Sequence, residues 1–260
     1  MNEIQKKLKY LKRLIIMTTL SAREGHIPSA FSILDIVWVL YDRIMKINPI
    51  FPQDCDRDRF ILSKGHGSLA LYAVLAEKRF FPSDELFAFA KYDSRLGGHP
   101  DCNKVPGIEA STGSLGHGLP IAVGMALGMK LRKNSRRVYV LVGDAECNEG
   151  SIWEAVLLAA HHKLSNITCI VDYNHSTDRA LALGNLEAKF ISFGWNTSSV
   201  DGHDHNALYV AMNQTANDRP TAIIAETIKG FGCTIMENNP AWHHRIPTDD
   251  ELPEILEELA

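Results

Sequence analysis

Apolar residues near the start of the chain recur at helical spacing. Ile4, Leu8, Leu11 and Ile15 fall on one face, which predicts an amphipathic helix from about Ile4 to Ser21. Ser32 to Met45 repeats the pattern, with Ile33, Ile36, Val37 and Leu40 on one side. Arg59 to Ser63 reads as a short buried strand, Gly65 to Gly67 as a turn and Ser68 to Glu77 as a helix. Pro82 and Ser83 open another helix, with Asp84 and Glu85 in its first turn, where the macrodipole favours acids. Leu96 to Gly118 is a glycine-containing loop long enough to predict a functional role. Leu119 to Leu131 is a predicted helix carrying Ala122, Gly124, Ala126 and Gly128, small residues suited to close packing in a core or at an interface.

The clearest unit follows. Val138 to Val142 is an apolar strand, Gly143 to Gly150 a turn, Ser151 to Lys163 a helix and Ile167 to Asp172 a second apolar strand. A strand, helix and strand of this length make a right-handed parallel crossover. Ala222 to Glu226 adds another apolar strand. Strands without polar alternation, separated by helices, predict an α/β fold: a doubly wound, mostly parallel sheet with helices on both faces. No linker or repeat interrupts residues 1–260, which read as one domain ending in an acidic tail, 248–260, that forms a short surface helix.

Composition narrows the class. The chain of 260 residues is 45% hydrophobic and 22% charged, ordinary values for a globular protein with a substantial core. A net charge of -4 gives no electrostatic footing for nucleic acid. Cys55, Cys102, Cys147, Cys169 and Cys233 form no C-x-x-C pair, so neither a zinc knuckle nor a redox motif is signalled, and unpaired thiols predict the cytoplasm. The lysine-rich start followed by Leu14 to Leu20 has the outline of a signal peptide, but Thr18 and Thr19 break the apolar run. No run is long enough to cross a membrane.

In a doubly wound sheet, ligands bind beyond the carboxyl ends of the strands. Gly143-Asp144-Ala145-Glu146 follows one strand and Asp172-Tyr173-Asn174-His175-Ser176 ends the next, so the crossover brings Asp144 and Asn174 to one edge. A carboxylate and a carboxamide oxygen are hard ligands for Mg2+ or Ca2+, whose shell is then completed by a carbonyl, water and phosphate oxygens. Gly143 and Ala145 leave room for phosphate to approach backbone N–H groups near a helix start. Taken singly, such an Asp is more often a helix cap and such an Asn a turn residue. Together across one crossover they predict a metal-bridged diphosphate.

The Gly143-Asp144-Ala145-Glu146 segment followed by Asn174 resembles the thiamine diphosphate fingerprint. Gly25-His26-Ile27-Pro28, Ser63-Lys64-Gly65-His66-Gly67, Gly98-His99-Pro100, Ser111-Thr112-Gly113-Ser114-Leu115-Gly116, Val200-Asp201-Gly202-His203-Asp204 and Lys229-Gly230-Phe231-Gly232 resemble, in order, the motifs of the transketolase family. The resemblance covers nearly the whole chain and matches the family's diphosphate-binding part. It implies metal ligation by Asp144, Asn174 and the Ser176 carbonyl. It implies cofactor contacts from His66, Gly113, Ser114, Leu115, Gly143, Ala145, Glu146, Asn174 and His243. His26, His66, His99 and His243 are the implied catalytic histidines, with His244 the neighbouring alternative to His243. Glu149 resembles a glutamate near the subunit interface and reads equally as a first-turn helix acid. His117, His161, His162, His175 and His205 carry no assignment. Two positions depart from the family pattern, Ala145 for glycine and Ser114 for proline.

The implied activity is transfer of a two-carbon ketol unit between sugar phosphates. The family's activating glutamate belongs to a pyrimidine-binding domain, which the resemblance leaves to a separate C-terminal partner chain, in an assembly such as two copies of each. Other thiamine enzymes, of the 2-oxo-acid dehydrogenase or deoxyxylulose-phosphate synthase kind, share the metal motif but not the full set of histidine loops. A non-catalytic cofactor-binding subunit would not need those histidines. A nicotinamide-binding domain lacks support, because no G-x-G-x-x-G opens a helix.

Overall fold

Alternate side chains along a parallel sheet feed two separate cores and thereby set the architecture of the chain, known from a computed structural model that describes residues 3–178, 180–214 and 218–260. The lysine-rich reading and the domain span both begin at Met1 and Asn2, which lie outside the described residues. The strands are β1 (Arg59–Leu62), β2 (Val138–Gly143), β3 (Ile167–Tyr173), β4 (Asn196–Asp201) and β5 (Thr221–Glu226). They form a five-stranded sheet in the order β1-β2-β3-β5-β4, every neighbouring pair parallel.

The helices are α1 (Glu3–Ala22), α2 (Ile27–Val39), α3 (Ser68–Glu77), α4 (Gly118–Leu131), α5 (Gly150–His161), α6 (Leu186–Ser192), α7 (His205–Asn213) and α8 (Leu252–Glu258). One core packs Phe60, Leu62, Tyr139, Leu141, Ile170 and Ile223 against α1, α2, α3, α7 and α8. The other packs Ile61, Val138, Val140, Val142, Cys169 and Val171 against α4, α5 and α6. This period-two division of apolar strands is the doubly wound arrangement the sequence predicts.

Several elements differ from the sequence reading. Helix α2 begins at Ile27, because Pro28 sits in its first turn, where the missing N–H costs nothing. It ends in a π turn, Leu40–Ile44. The segment after Pro82 is a 3-10 helix, Ser83–Ala88. Strand β4, Asn-Thr-Ser-Ser-Val-Asp, went unread because it is an edge strand with no fully buried residue. The acidic tail is more than a surface helix: Ile255 and Leu259 are buried, and Lys9 Nζ donates to the Glu258 and Ala260 carbonyls at 3.1 and 2.8 Å.

The loop after Leu96 is held from several sides. Leu96 and Val105 are buried, Ser68 Oγ donates to the Gly98 carbonyl at 2.9 Å, and Thr112 Oγ1 donates to the Leu62 carbonyl at 2.7 Å.

Candidate active site

The carboxyl ends of β1, β2, β3 and β5 supply Lys64, Asp144, Asn174 and Lys229, and the start of α2 supplies His26 and Ser29. All six line one cavity of about 380 Å3. His66, Gly113, Leu115, Gly143, Ala145, Glu146, Ser176 and His243 complete it. Two residues named from sequence are absent from the lining. Ser114 is exposed, and His99 is exposed beside Gly113 on the loop. Ser29, Lys64 and Lys229 line the cavity without having been singled out in the sequence.

The glycine turn after β1 sets the cavity's tight floor. A Cβ on Gly65 would come within 2.9 Å of the Gly113 nitrogen, so the loop rests directly on this turn. Gly113 itself has φ +151, and a Cβ there would meet the His99 ring at 3.1 Å. Glycine satisfies both the conformation and the close approach.

Asp144 is 2% exposed. Its Oδ1 accepts the Ala145 N–H at 2.7 Å, while its buried Oδ2 has no hydrogen-bond partner among the described residues. Burial, followed by the charge of Asp172, pushes its carboxyl group's pKa up. A buried acceptor without a donor is costly unless a cation completes it. Asn174 presents Oδ1 toward Ser176, whose N–H donates to it at 3.2 Å and whose hydroxyl also contacts it. Among the described residues no three His, Cys, Asp or Glu side chains converge as a metal cluster. The donor set is therefore hard and incomplete, one carboxylate oxygen and one carboxamide oxygen. That fits a magnesium-type ion sharing its shell with a diphosphate.

Glu146 lines the cavity, but its oxygens are committed. Oε1 accepts Ser63 Oγ at 2.6 Å and the Gly116 N–H at 2.9 Å, and Oε2 accepts the Gly143 N–H at 2.9 Å. It clamps three segments of the cleft together. Lys64 is also committed, with Nζ 2.5 Å from Asp172 Oδ2, both groups buried. Among the described residues, Lys229 is the lining cation without a carboxylate partner, its Nζ 3.1 Å from Ser176 Oγ and 3.4 Å from His243 Nδ1. Burial, then Lys64, lowers its pKa.

Three of the histidines, His26, His66 and His243, line the same cavity. The His26 ring centroid lies 5.4 Å from that of His66, 5.5 Å from His243 and 4.3 Å from His244. Burial, reinforced by His244, His243, His99 and Lys229, drives His26 down to about 4. Burial, then Lys64, drives His66 down to about 2. His243 is lowered by burial and Lys229. Near neutral pH the His26, His66 and His243 rings are uncharged, each able to donate and accept one hydrogen bond.

The family model described as "Transketolase, thiamine diphosphate binding domain" matches residues 4–259. This chain belongs to the transketolase family. An apulose-4-phosphate transketolase subunit of Actinobacillus succinogenes is 38% identical over 265 residues, covering 99% of this chain and 96% of that protein. The 6-deoxy-6-sulfo-D-fructose transketolase subunit of Clostridium sp. (strain MSTE9) is 35% identical, covering 99% and 96%. The solved transketolase from Leishmania mexicana superposes with a TM-score of 0.91 at 27% identity, over 100% of this chain and 41% of that one. This transketolase chain thus spans about two fifths of that solved chain and nearly all of the two subunits.

Within the transketolase domain, a larger cavity of about 730 Å3 involves α1, α7 and Phe231 and contains none of the residues named from sequence as site residues. Among the described residues no helix is long and apolar enough to cross a membrane.

Proposed function

We propose that the chain is the diphosphate-binding subunit of a two-chain transketolase, which transfers a two-carbon ketol unit from a ketose phosphate to an aldose phosphate. The observation that carries this reading is the buried Asp144 Oδ2, unpartnered among the described residues, beside Asn174 in a cavity lined by uncharged imidazoles. Asp144, Asn174 and the Ser176 carbonyl would hold Mg2+ or Ca2+. The Gly113 to Leu115 and Ala145 backbone would receive the diphosphate, with Lys229 as its nearest free cation. Thiamine diphosphate, when bound, supplies the nucleophilic carbon and the electron sink for ketol transfer. His26, His66, His99 and His243 would donate to sugar hydroxyls and move protons at the substrate oxygens.

A partner chain carrying the pyrimidine-binding domain and its activating glutamate would complete the site, in an assembly of two copies of each chain. Two relatives that this chain covers almost end to end are named as subunits. The outer side of α4 and α5 also supports a partner. Ile121, Leu131, Leu157 and Leu158 are 38%, 76%, 58% and 45% exposed there, and a Cβ on Gly124 or Gly128 would meet nothing within 4 Å. An apolar, open face of this kind suits association. Glu149, exposed at the start of α5, would lie near that junction. The relatives' named substrates differ, a sugar phosphate and a sulfo-sugar, and a phosphorylated ketose is the class proposed here. The free thiols support a cytoplasmic setting.

The test is co-purification with a pyrimidine-domain partner, followed by a ketol-transfer assay with Mg2+ and thiamine diphosphate. Activity is expected from the pair and from neither chain alone. Turnover by this chain alone would sink the two-chain reading.

A further inference from the structure

An asparagine side chain ends in an oxygen and an NH2 group of similar size, and only the oxygen can bind a hard cation. Something beneath Asn174 must decide which one faces the site. Its Nδ2 donates to Ser32 Oγ at 3.1 Å and to Asp172 Oδ2 at 3.0 Å. Both acceptors are buried under the cavity, and neither lines it. Turning the amide over would press Oδ1 against a carboxylate oxygen, two acceptors with no proton between them.

Asp172 can impose this only while its carboxyl group is fixed in place. It is fully buried, yet every acceptor direction is filled. Oδ1 accepts from Ser32 Oγ at 2.7 Å and from the Thr227 hydroxyl, and Oδ2 accepts from Lys64 Nζ at 2.5 Å. The four donors arrive from the start of α2, the tip of β1, the turn after β5 and Asn174 itself.

We infer that Asp172 is a positioning residue which, with Lys64 and Ser32, holds the Asn174 carboxamide with its oxygen toward the cation position. The inference rests on the cofactor reading proposed above. Ser32 and Thr227 separate positioning from mere support. Each donates one hydrogen bond to Asp172, but only Ser32 also accepts from Asn174.

The experiment titrates Mg2+ calorimetrically into the chain paired with its pyrimidine-domain partner, with thiamine diphosphate present, alongside thermal melts. Ser32→Ala is expected to weaken Mg2+ binding several-fold more than Thr227→Val, with similar melting temperatures. Asp172→Asn alone would leave Lys64 buried without a counter-charge, so it is combined with Lys64→Met. That double variant should fold and bind Mg2+ roughly 10–100-fold more weakly, the cost of losing a group that orients a metal ligand. Equal effects of Ser32→Ala and Thr227→Val, or a folded double variant with unchanged Mg2+ affinity, overturn the positioning role alone. A wild-type pair that takes up neither Mg2+ nor thiamine diphosphate overturns the cofactor reading, and this inference with it.

Discussion

Glu146 Oε1 accepts the backbone N–H of Gly116 at 2.9 Å, tying the turn after β2 to the loop before α4 across thirty positions of sequence. The same carboxylate takes Ser63 and Gly143. Glu146→Ala strands these buried donors at roughly 1–3 kcal/mol each. The expected loss of unfolding free energy is about 3 kcal/mol by urea titration, with Glu146→Gln intermediate. A loss below about 1 kcal/mol would show that water replaces the clamp.

Asp144 works against the stability of the unliganded chain. Burial and Asp172 raise its pKa in the folded state. An acid raised in this way binds its proton more tightly when folded, so raising the pH through that range costs stability. Asp144→Asn is therefore expected to leave unliganded stability at pH 7 unchanged or higher by up to about 1 kcal/mol. Mg2+ binding with thiamine diphosphate should fall by more than the roughly 10–100-fold cost of losing a supporting hydrogen bond. Differential calorimetry of the two states reads both outcomes.

The imidazole cluster makes a spectroscopic prediction. His26, lowered to about 4 by burial and its neighbours, should hold an unshifted neutral signature from pH 8 to about 5 and titrate near 4 by histidine NMR. The unfolded chain takes up this proton at ordinary histidine pH and the folded chain does not, so stability declines as pH falls from about 6.5 toward 4. Lys229→Met should move His26 and His243 upward, since Lys229 contributes to both depressions.

Asp35 gives the opposite window. Burial tends to raise it, but hydrogen bonds from His203 and His205 prevail and bring it from 3.8 to about 2. A carboxylate lowered on folding stabilises above its unfolded value, and that contribution is lost as the pH falls toward 2. Asp35→Asn should cost about 2 kcal/mol at pH 7, and the deficit should vanish below about pH 2. Urea unfolding at several pH values measures it, and a deficit constant with pH would disprove the linkage.

The exposed side of α4 and α5 should matter only in company. Leu131→Glu with Leu157→Glu replaces two side chains that are 76% and 58% exposed, so the melting temperature of the isolated chain should change little. Association with the pyrimidine-domain chain, followed by sedimentation, should weaken at least tenfold.

Asp144 and Asn174 were legible because each directly follows an apolar strand, and a single crossover dictates that such tips share an edge. The two cores were legible for the same reason. Lys64 was not, because its partner Asp172 lies 108 positions away and read as the last residue of a strand. Only the fold brings them together. Lys229 sat in a recognisable motif, yet motif membership does not say which way a long side chain points. The start of helix α2 is marked in the sequence by Pro28, a first-turn signal, rather than by the apolar run that begins at Ser32. Strand β4 offered less. Its side chains are polar because one side is half open, and alternation fails on an edge. His243 and His244 remain neighbours in role as in sequence: the first lines the cavity, and the second stacks nearer His26.

Gly118 donates its N–H to Ser63 Oγ at 3.1 Å, and a Cβ there would overlap Ser63 at 2.4 Å. The head of α4 is thus pressed onto the end of β1 with no slack between them. One end of this rod meets the loop that lines the cleft, and its flank carries the bare apolar stripe. The two places are thus joined by a single helix. Were the cleft and the flank each to take a ligand, any coupling carried by this helix would by linkage change the two affinities by the same factor.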